Sequence, residues 1–276
     1  MPPLLVYFSL MYDEASARER ARVAEGDELT ELLHHQASGV LLALLENPVL
    51  DETRLCLLLE RKDLPGEIVE AVARRRPLMK NYRVKRGIAF HPHAPRLVAL
   101  RLLRDLYLMD LSQLALSPTV VPELKRQAEE HLLARLPQLP LGQKIALARR
   151  GPGRVAGALL AEGHTQVVAV ALDNANLSES QLLKALWTPK LPERVLTALA
   201  NHRKWSFNYN IRIAMVRHPR SPLAVVLAIL PELTLSDLRQ LAAPGIVSES
   251  LSNYLRAEVA RRTHASRSPL AGDTES

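Results

Sequence analysis

Two segments of this chain repeat the same pattern. Residues 81–95 have the sequence NYRVKRGIAFHPHAP and residues 208–222 have NYNIRIAMVRHPRSP, so Asn-Tyr and His-Pro-x-x-Pro recur 127 residues apart at the same spacing. The similarity extends without a gap over residues 32–124 and their counterparts. Self-similarity over a long period is typical of proteins built from stacked repeats. The sequence therefore predicts two homologous halves offset by 127 residues.

The composition predicts an all-α chain. Leu, Ala and Val are the main apolar residues, whereas aromatic residues make up 4% of the chain and only 11 glycines are present. Small and unbranched apolar residues are favourable in helices, while β-sheets are richer in β-branched and aromatic residues. Cys56 is the one cysteine, so neither an intramolecular disulfide nor a cysteine-based zinc site can form. We expect Cys56 to be a buried, unreactive thiol within the apolar segment RLCLLLE.

Polar residues and prolines mark helix boundaries at equivalent positions of the two halves. Asp51 and Ser178 are predicted N-caps, and so are Asn81 and Asn208. Proline is favourable in the first turn of a helix, and the residue before a proline is pushed out of the helical conformation. The remaining predicted boundary residues are Pro65 and Pro192 in first turns, His91 and His218 at helix ends, and Pro95 and Pro222 at the next helix starts.

The short paired helices resemble a known class of repeat. The turns in ENPVL, FHPHAP and RHPRSP are similar to those of HEAT/armadillo-type α-helical repeat proteins, closest in style to the bacterial leucine-rich-repeat-variant arrays. The resemblance implies a right-handed α-solenoid in which each short helix is stable only because its neighbours cover its apolar face. It also implies a scaffold that binds proteins on a concave face, or in a minority of cases nucleic acid. No catalytic residue is shared by such arrays.

The predicted organisation follows from this pattern. The acidic and arginine-rich N-terminal segment is expected to be an exposed helix or a partly disordered arm. The polar C-terminal segment is expected to be disordered. The predicted divisions are an arm at 1–27, a first half at 28–135, a second half at 136–263 that continues from the first, and a tail at 264–276.

Basic residues are the candidate binding residues. The chain carries a net charge of +7, and the segment RRRPLMKNYRVKR begins at residue 74. Recurrent charge on one side of a solenoid could attract an acidic protein segment or follow a phosphate backbone, and a tyrosine beside it could stack on a base. A solvated helix surface is the simpler alternative. The candidates are Arg74, Arg75, Arg76, Lys80, Tyr82, Arg83, Lys85 and Arg86 in the first half, and Arg203, Lys204, Tyr209, Arg212 and Arg217 in the second.

Enzymatic and metal-binding alternatives have weaker support. A helical-repeat DNA glycosylase needs a carboxylate beside an aromatic pocket, and the second half offers Asp173, Trp187, Trp205 and Tyr209. Trp187 is more simply explained as a core residue. The histidines lack metal-ligand spacing, and His91 is expected to bond a free carbonyl at a helix end. The other histidines considered are His34, His35 and His93.

The leading hypothesis is a non-enzymatic scaffold for a protein partner, with the basic residues favouring an acidic segment. A nucleic-acid-binding helical-repeat protein is the alternative. No catalytic residue, metal, cofactor or small-molecule substrate is predicted. The N-terminal apolar segment has no basic leader, and Met11 is a second possible start. We therefore expect a cytoplasmic protein without membrane insertion.

Overall fold

The computed structural model describes the backbone of residues 4–265 and the side chains of residues 13–264. Within this range the chain forms eighteen α-helices and three short 3₁₀ helices, and no β-strand. The prediction of an all-helical chain is confirmed. None of these helices combines the length and the apolar character needed to cross a membrane. The predicted disordered tail lies outside the described residues from residue 266 onward.

The chain divides into two compact units, residues 1–134 and 135–276. The helices of unit 1 are α1 (Leu4–Val23), α2 (Gly26–Leu32), α3 (Ser38–Glu46), α4 (Glu52–Glu60), α5 (Gly66–Arg74), η1 (Leu78–Lys80), α6 (Tyr82–Phe90), α7 (Arg96–Leu102), α8 (Leu108–Leu116) and α9 (Pro122–Arg135). Those of unit 2 are η2 (Leu136–Gln138), α10 (Leu141–Arg150), α11 (Gly153–Glu162), α12 (Thr165–Leu172), α13 (Glu179–Leu186), α14 (Glu193–Ala200), α15 (Tyr209–Arg217), α16 (Leu223–Ile229), η3 (Leu230–Glu232), α17 (Leu235–Leu241) and α18 (Glu249–Ala265).

Within each unit the helices form two rows, because each helix packs against the next but one along the chain. In unit 1, α1, α3 and α5 contact in succession, as do α4, α6 and α8. In unit 2, α10, α12, α14 and α16 form one row, and α11, α13 and α15 form the other. Most of these helices have seven to ten residues, which is too short for stability in isolation. Packing between and within the rows therefore holds them.

The predicted N-caps are confirmed at all four positions. Asp51 accepts from the Arg54 N–H at 2.8 Å, and Ser178 forms a capping box with Gln181. Asn81 and Asn208 cap α6 and α15 through their side-chain oxygens. The four boundary prolines occupy the N-cap position, so Pro65 and Pro192 lie just before the first helical turn rather than within it. These prolines are Pro65, Pro95, Pro192 and Pro222.

Buried asparagines join neighbouring helices of one row at equivalent positions in the two units. The Asn47 amide donates to the carbonyls of Ala21 and Ala24, both at 2.9 Å, at the end of α1. The equivalent amide of Asn174 donates to the carbonyls at the end of α10, at 2.8 Å and 3.1 Å. Both asparagines are buried, so these hydrogen bonds satisfy groups that water does not reach.

Two core predictions were wrong. Trp187 is 74% exposed at the end of α13, whereas the neighbouring Trp205 is buried and donates from Nε1 to the Leu172 carbonyl at 2.9 Å. Cys56 is only partly buried, and burial is the main cause that raises the pKa of its thiol. The helical pattern of a sequence predicts the face of the helix on which a residue lies. It does not predict whether a neighbouring helix extends far enough to cover that residue.

Candidate binding surfaces

The basic segment comprises the end of α5, the 3₁₀ helix η1 and the first turns of α6. The 3₁₀ helix packs against both α-helices. Three of its cations are paired within unit 1. Arg74 lies 2.8 Å from Glu70, and Lys85 lies 2.6 Å from Asp105. Arg86 lies 2.7 Å from Asp110 and its guanidinium covers the Phe90 ring. The charges of these three cations are already paired with carboxylates of the same unit.

The other four cations form no ion pair with a described carboxylate. The side chains of Arg75, Arg76, Lys80 and Arg83 make no ion pair or hydrogen bond to any described residue. Arg76, Lys80 and Arg83 are exposed, and Arg75 is half-buried. We call these four residues the basic cluster. None of these four charges is held in an ion pair by a carboxylate of the described chain.

The two candidate tyrosines are engaged in packing. The Tyr82 hydroxyl donates to the Asp110 carboxylate and accepts from the Tyr107 N–H at 3.0 Å, while its ring stacks on Tyr107 at 3.9 Å. Burial, followed by this bond to Asp110, raises the pKa of Tyr82 to about 12. Tyr209 donates to Asp237 in the same way and accepts from the Thr234 N–H at 3.1 Å. Each tyrosine therefore fixes the start of the next helix but one, α8 in unit 1 and α17 in unit 2.

The candidate cations of unit 2 are mostly engaged as well. Arg203 lies 3.4 Å from Asp173, and Lys204 lies 4.1 Å from the centre of the Trp205 ring. Arg212 is mostly buried, where it donates to the Ser206 carbonyl at 2.7 Å and lies 3.6 Å from Glu232. Arg217 is exposed and makes no ion pair or hydrogen bond with the part of the chain that the structure describes.

The residues of the glycosylase hypothesis do not come together. The cavity that contains Trp187 is not lined by Trp205, Tyr209 or Asp173. Trp205 belongs to the core, and the Asp173 carboxylate lies 3.3 Å from the His202 ring. The required aromatic pocket beside a free carboxylate is therefore not formed by these residues.

His91 donates a hydrogen bond to a free carbonyl at a helix end, as the sequence predicts. Its Nδ1 accepts from the His93 N–H at 3.1 Å, so Nε2 carries the proton and donates to the Arg61 carbonyl at 2.7 Å. Arg61 is the residue that ends α4. Burial is the main cause that lowers the pKa of His91. Among the described residues, no three His, Cys, Asp or Glu side chains are close enough to hold a metal ion.

Sequence reasoning missed two equivalent grooves, one in each unit. The groove of unit 1 has a volume of about 280 Å³ and lies between the His91-Pro92 turn, α7 and the start of α9. The groove of unit 2 has a volume of about 700 Å³ and lies between the His218-Pro219 turn, α16 and the start of α18. Both are lined mainly by apolar residues. Equivalent lining residues include Ala99 and Val226, Leu100 and Leu227, Val120 and Val247, and Leu124 and Leu251.

The two grooves differ at the rim. In unit 1, Arg96 on α7 and Glu123 on α9 form an ion pair at 2.6 Å between the two walls. Leu223 and Ser250 occupy the equivalent positions in unit 2, where Leu223 is 64% exposed. No ion pair joins the walls of the unit 2 groove at these positions, and we call it the open groove. The alignment of the two halves makes Arg96 equivalent to Leu223, but only the packed helices reveal that each of them borders a groove.

No protein-family model, curated protein or solved structure matches the chain.

Proposed function

We propose that this protein is a non-enzymatic helical-repeat scaffold that binds an acidic segment of a protein partner. The two units would be copies of one module, continuing as a right-handed α-solenoid in the cytoplasm. Support comes from the two-row packing within each unit and from the recurrence of the asparagine, tyrosine and histidine hydrogen bonds 127 residues apart.

The basic cluster is the observation that carries this proposal. Arg75, Arg76, Lys80 and Arg83 lie within nine positions of one another and lack acidic partners among the described residues, while the neighbouring cations are paired. Such a local excess of positive charge attracts carboxylates and accelerates their association.

A protein partner is favoured over nucleic acid because the cluster does not recur. The positions of unit 2 equivalent to Arg75, Arg76, Lys80 and Arg83 are His202, Arg203, Phe207 and Asn210. Arg203 is the one arginine or lysine among them, and Asp173 lies beside it. A phosphate backbone carries charge at every nucleotide and is followed by cations spread along a surface. A single compact cluster is better suited to a short acidic segment.

Binding of labelled probes to the full chain would test this proposal. Fluorescence anisotropy would compare a short polar peptide rich in Glu and Asp, a scrambled neutral peptide, random duplex DNA and single-stranded DNA. We expect the acidic peptide to bind and its affinity to fall as salt rises from about 50 to about 300 mM, because salt screens exposed charges.

The triple variant R75E/R76E/R83E should weaken binding of the polar acidic peptide at least about tenfold, because exposed charge pairs contribute ~0.2–1 kcal/mol each and reversal makes them repulsive. The matched control is R126E/R149E/R150E, which makes the same change in net charge at exposed arginines elsewhere. Equal losses in the two variants would contradict a local site. Tighter binding of DNA than of the acidic peptide would favour the nucleic-acid alternative.

A further inference from the structure

We propose that the open groove of unit 2, between α16 and α18, docks a partner segment that carries clustered leucine-type side chains next to an acidic residue. This inference extends the proposed function, on which it rests for the class of partner. It adds a second contact, of different chemistry, to the basic cluster of unit 1.

The lining of the groove suits apolar side chains. Val216, Val226 and Leu251 line it, and Leu223, Ile246 and Tyr254 are 64%, 42% and 49% exposed. Apolar side chains gathered around one concave surface are typical of interaction sites. A volume of about 700 Å³ accommodates several apolar side chains of a bound segment.

Comparison with unit 1 shows that the open rim is a property of the side chains and not of the backbone pattern. The same turn, helix and helix start build both grooves, but the Arg96–Glu123 ion pair joins the walls in unit 1. Both partners of that pair are more than a third exposed, so the pair adds little stability. Its effect is to add two charged side chains to an otherwise mainly apolar lining. Leu223 and Ser250 leave the equivalent region of unit 2 without charge.

The charges at the rim favour an acidic occupant at one end. Arg217 lines the groove and makes no ion pair with a described residue, and the acidic influence on it is the Asp237 carboxylate, which lines the adjacent cavity with it. Arg220 lies between two lining residues and donates to the Lys190 carbonyl at 3.1 Å, and no described carboxylate pairs with it. Glu249 begins α18 between the lining residues Ser248 and Ser250 and is the opposing charge. An acidic residue of the partner would therefore lie beside Arg217 and Arg220.

A polar group inside the groove is also left for a ligand. Ser221 lines the groove, and its Oγ is buried without a hydrogen-bond partner among the described residues. Unit 1 has Ala94 at the equivalent position. A buried hydroxyl without a partner is unfavourable, and a carbonyl or carboxylate of a docked segment would satisfy it.

The test uses the full chain and three labelled peptides of equal length. The first has leucines at helical spacing i, i+3, i+4 and i+7 with glutamates between them, the second is its scrambled form, and the third has lysine in place of glutamate. We expect the first peptide to bind most tightly by fluorescence anisotropy. Binding of the first peptide that is no tighter than that of the scrambled one would overturn the proposal.

Restoring the ion pair of unit 1 should close the groove. L223R/S250E places arginine and glutamate at the unit 2 positions equivalent to Arg96 and Glu123. We expect this variant to weaken binding of the first peptide at least tenfold. The control L97R changes an exposed leucine of α7 that does not line a groove, and we expect unchanged binding. Circular dichroism checks that the variants fold, and L223R alone, at an exposed position, provides a milder version with an intermediate loss.

Charge variants at Arg217 and at Glu249 should change binding in opposite directions. R217E should weaken binding of the first peptide and E249K should strengthen it, because partner carboxylates are expected beside Arg217. Unchanged binding in L223R/S250E, or equal effects of R217E and E249K, would overturn the proposal. Concentration-dependent dimerisation that L223R/S250E abolishes would also overturn it, because the occupant would then be a second copy. R75E/R76E/R83E with the polar acidic peptide tests the basic cluster separately, so failure of one proposal is distinguishable from failure of the other.

Discussion

At the scale of single residues, the most demanding positions are two buried asparagines. Asn47 donates twice to backbone carbonyls and accepts from the Val49 N–H at 2.8 Å. Asn174 repeats this arrangement and accepts from the Asn176 N–H at 2.7 Å. An aspartate could not donate these bonds and an aliphatic residue could not make any of them. Each asparagine therefore replaces water at the end of one helix and fixes the turn that follows the next helix but one.

Substitution of these asparagines should be costly. In N47A, two carbonyls and one N–H lose their partner in the interior, at ~1–3 kcal/mol for each group left without a bond. In N174A, the Ala148 carbonyl and one N–H lose theirs, while the Gly151 carbonyl keeps a bond from Asn176 Nδ2 at 3.1 Å. We expect the free energy of unfolding to fall by about 2–4 kcal/mol in each variant, measured by chemical denaturation. N253A is the control, because Asn253 is exposed on α18 and its loss should change stability by less than about 0.5 kcal/mol. Similar losses in all three variants would contradict this role.

At the scale of the helices, boundaries were predictable and burial was not. The caps at Asp51 and Ser178 and the helix end at His91 follow from local chemistry, so a single sequence predicts them. The exposed Trp187 and the buried Trp205 depend on how far a neighbouring helix extends, which local patterns do not encode. The candidate cations show the same limit, since their sequence positions do not reveal which of them face a carboxylate across the next helix.

One helix end depends on a glycine. Gly163 ends α11 with φ of 71°, and a Cβ there would lie 2.5 Å from Cγ of Pro192. Gly245 has φ of 80°, but a Cβ there would meet nothing within 4 Å. Backbone strain alone costs ~1–2 kcal/mol for a residue other than glycine. We expect G245A to lose about that amount and G163A to lose more, by thermal or chemical denaturation. A smaller loss in G163A would show that Pro192 moves away without cost.

At the scale of the whole molecule, two units of similar construction differ in the surfaces that they offer. Unit 1 carries the basic cluster and a groove joined across its rim, and unit 2 carries the open groove. The internal alignment alone indicates the equivalence of the two halves, but the sequence did not predict either groove. A groove is the space between helices, and its size depends on all the side chains around it rather than on any one motif.

Because the two grooves are equivalent, a variant of unit 1 can be tested for gain of peptide binding. R96L/E123S removes the ion pair from unit 1 and places there the residue types of unit 2. We expect a second, weaker binding site for the leucine- and glutamate-containing peptide, because Phe90 and Ala94 stand where unit 2 has Arg217 and Ser221. Isothermal titration calorimetry should then give a stoichiometry close to two peptides per chain instead of one. A stoichiometry that stays at one would indicate that other lining residues, such as Pro122 in place of Glu249, set the size of the groove.

The side-chain bonds of Asn47, His91, His218 and Trp205 share a direction along the chain. Each of these donors reaches a carbonyl that precedes it by 23 to 33 residues. During synthesis, a helix end would therefore wait only for the next two or so helices to leave the ribosome before its free carbonyls are bonded. Contacts of such short range permit rapid folding, and they allow structure to form in the order in which the chain is made.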